Sequence, residues 1–161
     1  MLRIGSGIDF HQLVEGRELW LGGVKLDYHK GALGHSDADV LLHAICDAML
    51  GALALGDIGV HFPNTDDAWK DIDSKKLLER VHEMTSMRGF NVVNIDSTIL
   101  LEAPKVKPYV DSMQLIISSI LHIQLDCVSI KATTTETMGF TGRGEGVAAM
   151  ATVLMKGDID D

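Results

Sequence analysis

The sequence predicts an α/β fold of the α+β kind, a two-layer sandwich whose mixed sheet has helices on one face. Segments of period-two hydrophobic alternation interleave with segments of helical periodicity along the whole chain. No internal repeat, low-complexity tract or Pro/Ser-rich linker interrupts them, so residues 1–161 are expected to form one domain. A hydrophobic fraction of 46% in 161 residues is enough for a core.

The first segment, Met1 to His11, alternates and predicts a strand. One face carries Leu2, Ile4, Ser6, Ile8 and Phe10. We expect this largely apolar face to be buried. The opposite face carries Asp9 and His11, and because Gly5 and Gly7 are its neighbours we expect it to be open.

The remaining periodic segments predict four further strands and three helices. The strands are Glu18–Val24, Val92–Leu101, Val128–Thr133 and Val147–Met155, and the helices are Asp37–Leu53, Ser74–Arg88 and Pro108–Leu121. Ser36 suits the N-cap of the first helix because Asp39, three residues on, completes a Ser-x-x-Asp capping pattern. Gly89 is a natural stop for the second helix.

Charge and cysteine content narrow the classes of function. The formal charge of −9 would repel nucleic acid and anionic membranes, so a bound phosphate needs a local site. No apolar run approaches the roughly 20 residues of a membrane helix, and no signal peptide is visible. The two cysteines form no disulfide framework and indicate a reducing compartment. We expect the bacterial cytoplasm, or a plastid-type organelle if a transit peptide has been removed.

Asp9 and His11 are the first candidate metal ligands. At positions i and i+2 of a strand their side chains project from one face, about 6.5–7 Å apart along the chain. Zinc accepts both carboxylate oxygen and imidazole nitrogen. The pair is equally compatible with an ordinary polar strand face, and the residues alone leave both interpretations open.

A polar stripe on the first helix gives a third candidate. Asp39, His43 and Asp47 follow an i, i+4, i+8 spacing on a helix that is otherwise apolar, so the stripe needs a specific partner. His43 would complete three zinc ligands and leave one open position, as in catalytic sites. The alternative is a solvated stripe of His–Asp ion pairs. Cys46 is interpreted as a small buried hydrophobe.

The C-terminal third suggests phosphate binding. Three adjacent hydroxyls and an acid, Thr133 to Glu136, end a strand, and a glycine-rich segment with Arg143 follows, Gly139 to Gly146. Clustered glycines let backbone N–H groups face an anion, and arginine binds phosphate bidentately. The pattern is neither a Walker A loop nor a dinucleotide fingerprint. A threonine-rich strand followed by a hairpin would give the same composition.

Seven stretches resemble the 2-C-methyl-D-erythritol 2,4-cyclodiphosphate synthases of the non-mevalonate isoprenoid pathway. They are Gly5–His11, His35–His43, Asp57–Gly59, Phe62–Asp66, Ala103–Lys105, Thr133–Glu136 and Gly139–Gly146. Their order and spacing match the family over nearly the whole chain. Departures are few: Ser6 where His is frequent, Glu102 where Gln is frequent, and Asn64 where Asp or Ser is frequent.

The resemblance implies a homotrimer packed about a three-fold axis, with active sites between subunits. On that axis an apolar cavity can enclose an isoprenoid diphosphate. Asp9, His11 and His43 are implied to bind Zn²⁺, and Glu136 to bind a second divalent ion, Mg²⁺ or Mn²⁺.

The resemblance also implies the substrate contacts, with a cytidine diphosphate derivative as substrate. Asp9, His11, His35 and Ser36 would face its phosphate and erythritol part. The wall around the sugar would be Asp57, Ile58, Gly59, Phe62, Pro63, Asn64, Thr65 and Asp66. The cytidine diphosphate pocket, from a neighbouring subunit, would be Leu101, Glu102, Ala103, Pro104, Lys105, Val106, Lys107, Thr133, Thr134, Thr135 and Glu136. Phe140 and Arg143 complete the implied contacts.

The implied reaction is attack of the substrate's 2-phosphate on the β-phosphorus, closing a cyclodiphosphate and releasing CMP, a phosphorus–oxygen lyase reaction. His35 and Thr134 are the candidate catalytic residues, as donors to charge in the transition state. Two alternatives remain from the residues. A metal-dependent phosphohydrolase would use water instead of the internal phosphate. A non-catalytic sensor would bind zinc structurally, with a closed set of four ligands.

Overall fold

The computed structural model describes residues 1–63, 65 and 67–157 of the chain. The strands are β1 Leu2–Glu15, β2 Leu19–Leu21, β3 Val24–Leu26, β4 Lys30–Ala32, β5 Phe90–Leu100, β6 Val128–Thr133 and β7 Gly146–Gly157. The helices are α1 Val40–Ala52, α2 Ile58–His61, α3 Ser74–Ser86, α4 Val110–Leu121 and α5 Gly139–Gly142, with 3₁₀ turns at Asp67–Trp69, Lys107–Tyr109 and Leu125–Cys127. Each predicted helix and the last three predicted strands are present, and their ends either coincide with the prediction or differ from it by at most three residues.

Five strands form a mixed sheet in the order β4-β1-β7-β5-β6. Only β5 and β6 are parallel, and α4 lies in their crossover connection. The long antiparallel pairing of β1 with β7 forms the centre of the sheet. Helix α1 packs against both strands, α3 packs against α1, and α4 packs against α3 and β6. The helices therefore cover one face of a mixed sheet, and the predicted class is confirmed.

The prediction for the two faces of β1 is wrong for the single chain. The apolar face is exposed: Leu2 65%, Ile4 68%, Ile8 49% and Phe10 52%. The glycine face is covered by α1, because a Cβ on Gly5 would lie 1.9 Å from the carbonyl oxygen of Ala48, and one on Gly7 would lie 2.0 Å from that of Ala44. The glycines mark the close approach of a helix backbone to the strand.

The segment predicted as one strand, Glu18–Val24, is instead part of a hairpin. Strand β2 turns at Gly22 and Gly23, whose φ angles are 58° and 78°, and returns as β3. Two left-handed residues in succession are what a two-residue hairpin turn requires, and paired glycines supply them without a steric penalty. The short strand β4, which pairs with the end of β1, was not predicted.

Helix α1 begins three residues later than predicted, and Ser36 is not its N-cap. Ala38 adopts a left-handed φ of 56°, so the chain is not helical there. Asp39 is the N-cap, and its carboxylate accepts from the N–H of Leu42. The Ser36 hydroxyl accepts from the N–H of Ala38 and so shapes the turn before the helix. Among the described residues, no helix is long and apolar enough to cross a membrane.

Candidate metal centre and active site

Asp9, His11 and His43 converge where α1 crosses β1. Oδ2 of Asp9 lies 3.1 Å from Nε2 of His11 and 3.0 Å from Nδ1 of His43. One ligand atom from each of the three residues lies within 4.8 Å of the others. The close packing of α1 on Gly7 places His43, the residue before the contacting Ala44, beside Asp9. The three predicted ligands are thus brought together.

The hydrogen bonds of His11 leave one of its nitrogens without a proton. Nδ1 lies 2.8 Å from the carbonyl oxygen of Leu33, which can only accept, so Nδ1 carries the proton in the neutral ring. Nε2 is buried and has no aligned hydrogen-bond partner, although the Asp9 oxygen is close. A lone pair and a carboxylate oxygen facing each other in a buried place are stabilised by a cation between them.

Electrostatics in the cluster favour a cation as well. Burial works to raise the pKa of Asp9, but the close contacts of its carboxylate with the His11 and His43 rings outweigh burial, and the pKa lies well below its usual value. Burial works to lower the pKa of His11, but the Asp9 carboxylate outweighs it, and the pKa is raised. The Asp9 oxygens thus form a centre of negative charge between two imidazoles.

A cleft of about 500 Å³ opens beside this cluster. Of the sequence-predicted residues, the cleft is lined by Asp9, His11, His35, Ser36, His43, Ile58, Gly59 and Phe62. His35 is exposed at its edge, whereas Ser36 is buried. Sequence reasoning missed the apolar side chains that complete the wall, Leu33, Trp69, Ile72 and Leu77. Nothing in their spacing distinguishes them from ordinary core residues.

The two acids of the helix stripe, Asp39 and Asp47, each accept hydrogen bonds from the backbone of another segment. Asp39 is fully buried and accepts from the N–H groups of Gly22 and Gly23 at 2.9 and 2.8 Å. Asp47 accepts from the N–H of Ile58 at 2.8 Å and so fixes the start of α2. The two acids are therefore neither members of the metal cluster nor ion-pair partners of His43 at a solvated surface. Cys46 is a fully buried thiol whose pKa is raised by burial, as its interpretation as a core residue requires.

The predicted nucleotide residues form a second, separate pocket of about 180 Å³. It is lined by Leu101, Glu102, Pro104, Lys105, Val106, Lys107, Ala132, Thr133 and Thr134. Ala103, Thr135 and Glu136 lie next to these residues in the chain but do not line it. Glu102 accepts from the backbone N–H groups of Thr135 and Thr137, both at 3.3 Å. Its carboxylate therefore holds the turn that follows β6.

Glu136 is exposed on that turn, in a left-handed conformation with φ 53°. Its Oε1 accepts from the Thr134 hydroxyl at 3.0 Å. Lys131, the cation on the preceding strand, pairs with Asp96 at 2.7 Å instead. The carboxylate is consequently not held by that lysine.

Several predicted residues are not joined to either pocket. Asp57 caps α2 by accepting from the N–H of Val60, and Pro63 and Thr65 are exposed. Phe140 packs on Phe10, with ring centroids 6.0 Å apart, and the Arg143 guanidinium pairs with Glu145 at 2.8 Å. Asn64 and Asp66 lie outside the described residues. The glycine-rich segment is not a hairpin, because β5 separates β6 from β7.

Comparison with known proteins agrees with this geometry. The model of the YgbB family matches residues 2–156. The chain belongs to the YgbB family. A relative from Bacteroides fragilis, named 2-C-methyl-D-erythritol 2,4-cyclodiphosphate synthase, is 56% identical over 96% of this chain and 97% of its own. The resemblance seen in the sequence is thereby confirmed.

Solved structures extend the comparison. The bifunctional IspDF of Campylobacter jejuni is 39% identical with a TM-score of 0.94; the match covers 98% of this chain and 43% of that longer one. A 2C-methyl-D-erythritol-2,4-cyclodiphosphate synthase in a CDP-bound form is 34% identical with a TM-score of 0.89, covering 96% of this chain and all of that one. Both identities exceed what a shared fold alone would give.

Proposed function

We propose that this protein converts 4-diphosphocytidyl-2-C-methyl-D-erythritol 2-phosphate into 2-C-methyl-D-erythritol 2,4-cyclodiphosphate and CMP, a lyase reaction of isoprenoid precursor synthesis. The observation that carries the proposal is the convergence of Asp9, His11 and His43 at an open cleft in a chain of this family. Full-length relatives bearing the name of that enzyme support it. The CDP complex of a similar structure supports a cytidine nucleotide as part of the substrate.

The donor set suits zinc. One carboxylate oxygen and two imidazole nitrogens are typical zinc ligands, and the unpartnered Nε2 of His11 provides one of them. Within the described part of the chain the cluster has three members, not the four of a closed structural site. When bound, zinc supplies a Lewis acid with one position open to a phosphate oxygen. This count favours an enzyme over a sensor with structural zinc.

A second divalent ion, Mg²⁺ or Mn²⁺, would be held by Glu136. Its exposed carboxylate offers the hard oxygen ligand that these ions prefer. Magnesium commonly takes only one or two protein carboxylates, with substrate phosphates as its other ligands. A single acid on the turn after β6 is therefore sufficient.

The side chains of the cleft have to position two anionic groups of the substrate, the 2-phosphate and the β-phosphate. The 2-phosphate has its second pKa near about 6 and is largely dianionic at neutral pH, so it attacks the β-phosphorus without a general base. His35 and Ser36 donate to its oxygens, and the apolar walls of Ile58 and Phe62 hold the methylerythritol part. The bond from the β-phosphorus to the bridging oxygen breaks, and CMP leaves with the electron pair. Thr134 donates to the charge that develops.

The complete site is proposed to form between subunits of a homotrimer. The cleft and the nucleotide pocket are separate within one chain, and the sheet face opposite the helices carries exposed apolar side chains on β1 and β7. Ile8 and Met150 are register partners on that face and are 49% and 52% exposed. A patch of this kind typically marks an interface between chains. Around the three-fold axis the same residues could line a cavity for an isoprenoid diphosphate.

The two free cysteines fit a cytoplasmic location.

The activity is tested by incubation with the cytidylylated substrate and Zn²⁺ plus Mg²⁺, followed by mass spectrometry. We expect CMP and the cyclic diphosphate in equal amounts. Asp9→Asn should abolish both, whereas His29→Ala, at a surface ion pair with Glu15, should leave them unchanged. Release of inorganic phosphate without cyclic product would identify a phosphohydrolase and refute the proposal.

A further inference from the structure

His43 has different surroundings at its two ring nitrogens. Nδ1 faces Asp9 and is the atom that converges on the metal cluster. Nε2 points away from it, 2.9 Å from the hydroxyl oxygen of Ser74 and 3.2 Å from that of Ser36. A neutral imidazole carries one proton, so these contacts decide whether Nδ1 has a lone pair to offer.

The direction of the Ser74 hydrogen bond is set by Asp37. One oxygen of the Asp37 carboxylate accepts from the Ser74 hydroxyl, and the other accepts from the Ser74 backbone N–H at 2.9 Å. A carboxylate only accepts, so the hydroxyl proton points to Asp37 and the Ser74 oxygen keeps its lone pairs for His43. When a metal ion takes the place of the proton between Nδ1 and Asp9, the remaining proton of His43 lies on Nε2 and is donated to Ser74.

Ser36 is a weaker orienting group for the same ring. Its oxygen is 0.3 Å farther from Nε2 than that of Ser74 (3.2 against 2.9 Å), and it already accepts from the N–H of Ala38. No carboxylate fixes its proton among the hydrogen bonds of the described residues. Ser36 can therefore turn toward the cleft, whereas Ser74 is held in place.

In both histidines of the cluster, an acceptor faces the ring nitrogen that points away from the metal site, but the two acceptors differ. The Leu33 carbonyl holds the proton of His11 on Nδ1, which frees Nε2. We propose that Ser74, directed by Asp37, is the positioning residue that holds the proton of His43 on Nε2 and fixes its ring for metal binding. The inference rests on the proposed metal site, but it adds a residue from α3 that neither the sequence motifs nor the cleft lining indicated.

Ser74 is also placed so that its hydroxyl can be removed without detaching the helix. It is the first residue of α3 and is fully buried, with Asp73 as N-cap before it. Its backbone N–H keeps the contact with Asp37 when the side chain is alanine. A loss of metal affinity in Ser74→Ala is then attributable to the hydroxyl.

The first test measures zinc affinity by competition with a chromogenic chelator. Ser74→Ala is expected to bind Zn²⁺ roughly 10- to 100-fold more weakly, the usual effect of losing an acceptor behind a metal-bound histidine. Ser118→Ala is the matched control, because it removes another buried serine hydroxyl that bonds within α4. Ser36→Ala should weaken zinc less than Ser74→Ala. Unchanged affinity in Ser74→Ala, or the larger loss in Ser36→Ala, would overturn the proposal.

The second test needs no variant. Long-range ¹H–¹⁵N correlation spectra of histidine-labelled wild-type protein, zinc-free and zinc-loaded, report which nitrogen of His43 is protonated. We expect Nε2–H and no proton on Nδ1 in the zinc-loaded protein, because zinc displaces the Nδ1 proton that Asp9 accepts in the zinc-free form. A zinc-loaded ring protonated on Nδ1, with no proton on Nε2, would refute the assignment. Neither zinc affinity nor the tautomer of His43 requires turnover. The role of Ser74 is therefore tested even if the proposed cyclisation is wrong.

Discussion

At the scale of single residues, the metal centre depends on where protons are placed. In the proposed zinc site Asp9 would provide a charge, and His11 and His43 would provide lone pairs because their other nitrogens face acceptors. Residue types and spacing made these three residues candidates, and the resemblance to a known family selected them as the predicted ligands. The sequence could not predict the acceptors, because a backbone carbonyl has no sequence signal and Ser74 is 31 positions away from His43.

Replacement of His43 by alanine should remove zinc and nearly all turnover. The change deletes one of three ligands, so the loss of affinity should exceed the roughly 100-fold caused by altering an acceptor behind a ligand. Zinc content per subunit and the rate of CMP release measure the effect, and circular dichroism checks the fold. Full metal content with a normal rate would exclude His43 from the site. His29→Ala, which removes an exposed imidazole from a surface ion pair with Glu15, is the matched histidine control.

The Glu136→Gln variant should lower turnover more than it weakens CMP binding. Glutamine keeps the size and one carbonyl oxygen but loses the charge for a second divalent ion, whose effect is greatest as the leaving group becomes charged. Steady-state kinetics across a magnesium titration should show a reduced kcat with little rise in KM. Unchanged turnover together with a lower melting temperature would make Glu136 a purely structural part of its turn.

At the scale of elements, the active site depends on two contacts made by α1. Its backbone lies against Gly5 and Gly7 of β1, and its N-cap Asp39 binds the β2–β3 turn. The first contact fixes the distance from helix to strand, and the second fixes the end of the helix. Together they bring His43 to Asp9.

Replacement of Asp39 by alanine should therefore destabilise the protein by about 3 kcal/mol or more, because it removes a helix cap and leaves two hairpin N–H groups without an acceptor. Asp73→Ala is the matched control: its carboxylate caps α3 and, among the described residues, bonds only to Lys75, so about 1 kcal/mol is expected. Urea unfolding at one protein concentration measures both. Equal losses in the two variants would show that the hairpin contact contributes little.

The elements also show where the sequence was sufficient. Strand β6 has the predicted bounds, and the helices follow their periodicity, because alternation and amphipathic spacing are local signals. The face of β1 was wrongly assigned since a glycine stripe signals an open surface and a close helix contact equally well. The predicted start of α1 is too early because the chain makes a left-handed turn at Ala38, and alanine gives no sequence signal for such a turn.

At the scale of the whole molecule, one chain presents two separate pockets and an exposed apolar face on β1. The proposed metal half of the active site lies at β1 and α1, and the proposed nucleotide half lies at the ends of β5 and β6. An apolar face on β1 that is half exposed or more would be costly to leave in water. These two features have one explanation if the face is the contact between subunits and the half-sites meet across it.

Mixing two inactive variants tests this arrangement directly. Asp9→Ala breaks the metal half and Glu136→Ala breaks the nucleotide half, so each homotrimer should be inactive or nearly so. Every mixed trimer has one interface at which both intact halves meet. Since three quarters of randomly assembled trimers are mixed and each has one of three sites, recovery should reach about a quarter of wild-type activity.

The matched control mixes Asp9→Ala with His43→Ala, which break the same half and should not recover activity. Native mass spectrometry must show the mixed trimers, so that absent recovery is not mistaken for absent exchange. If mixed trimers form and remain inactive, both halves must come from one subunit, and the exposed face needs another explanation. Ile8→Glu, placed on that face, should then give active single chains; with a shared site it should instead give inactive chains that still bind zinc.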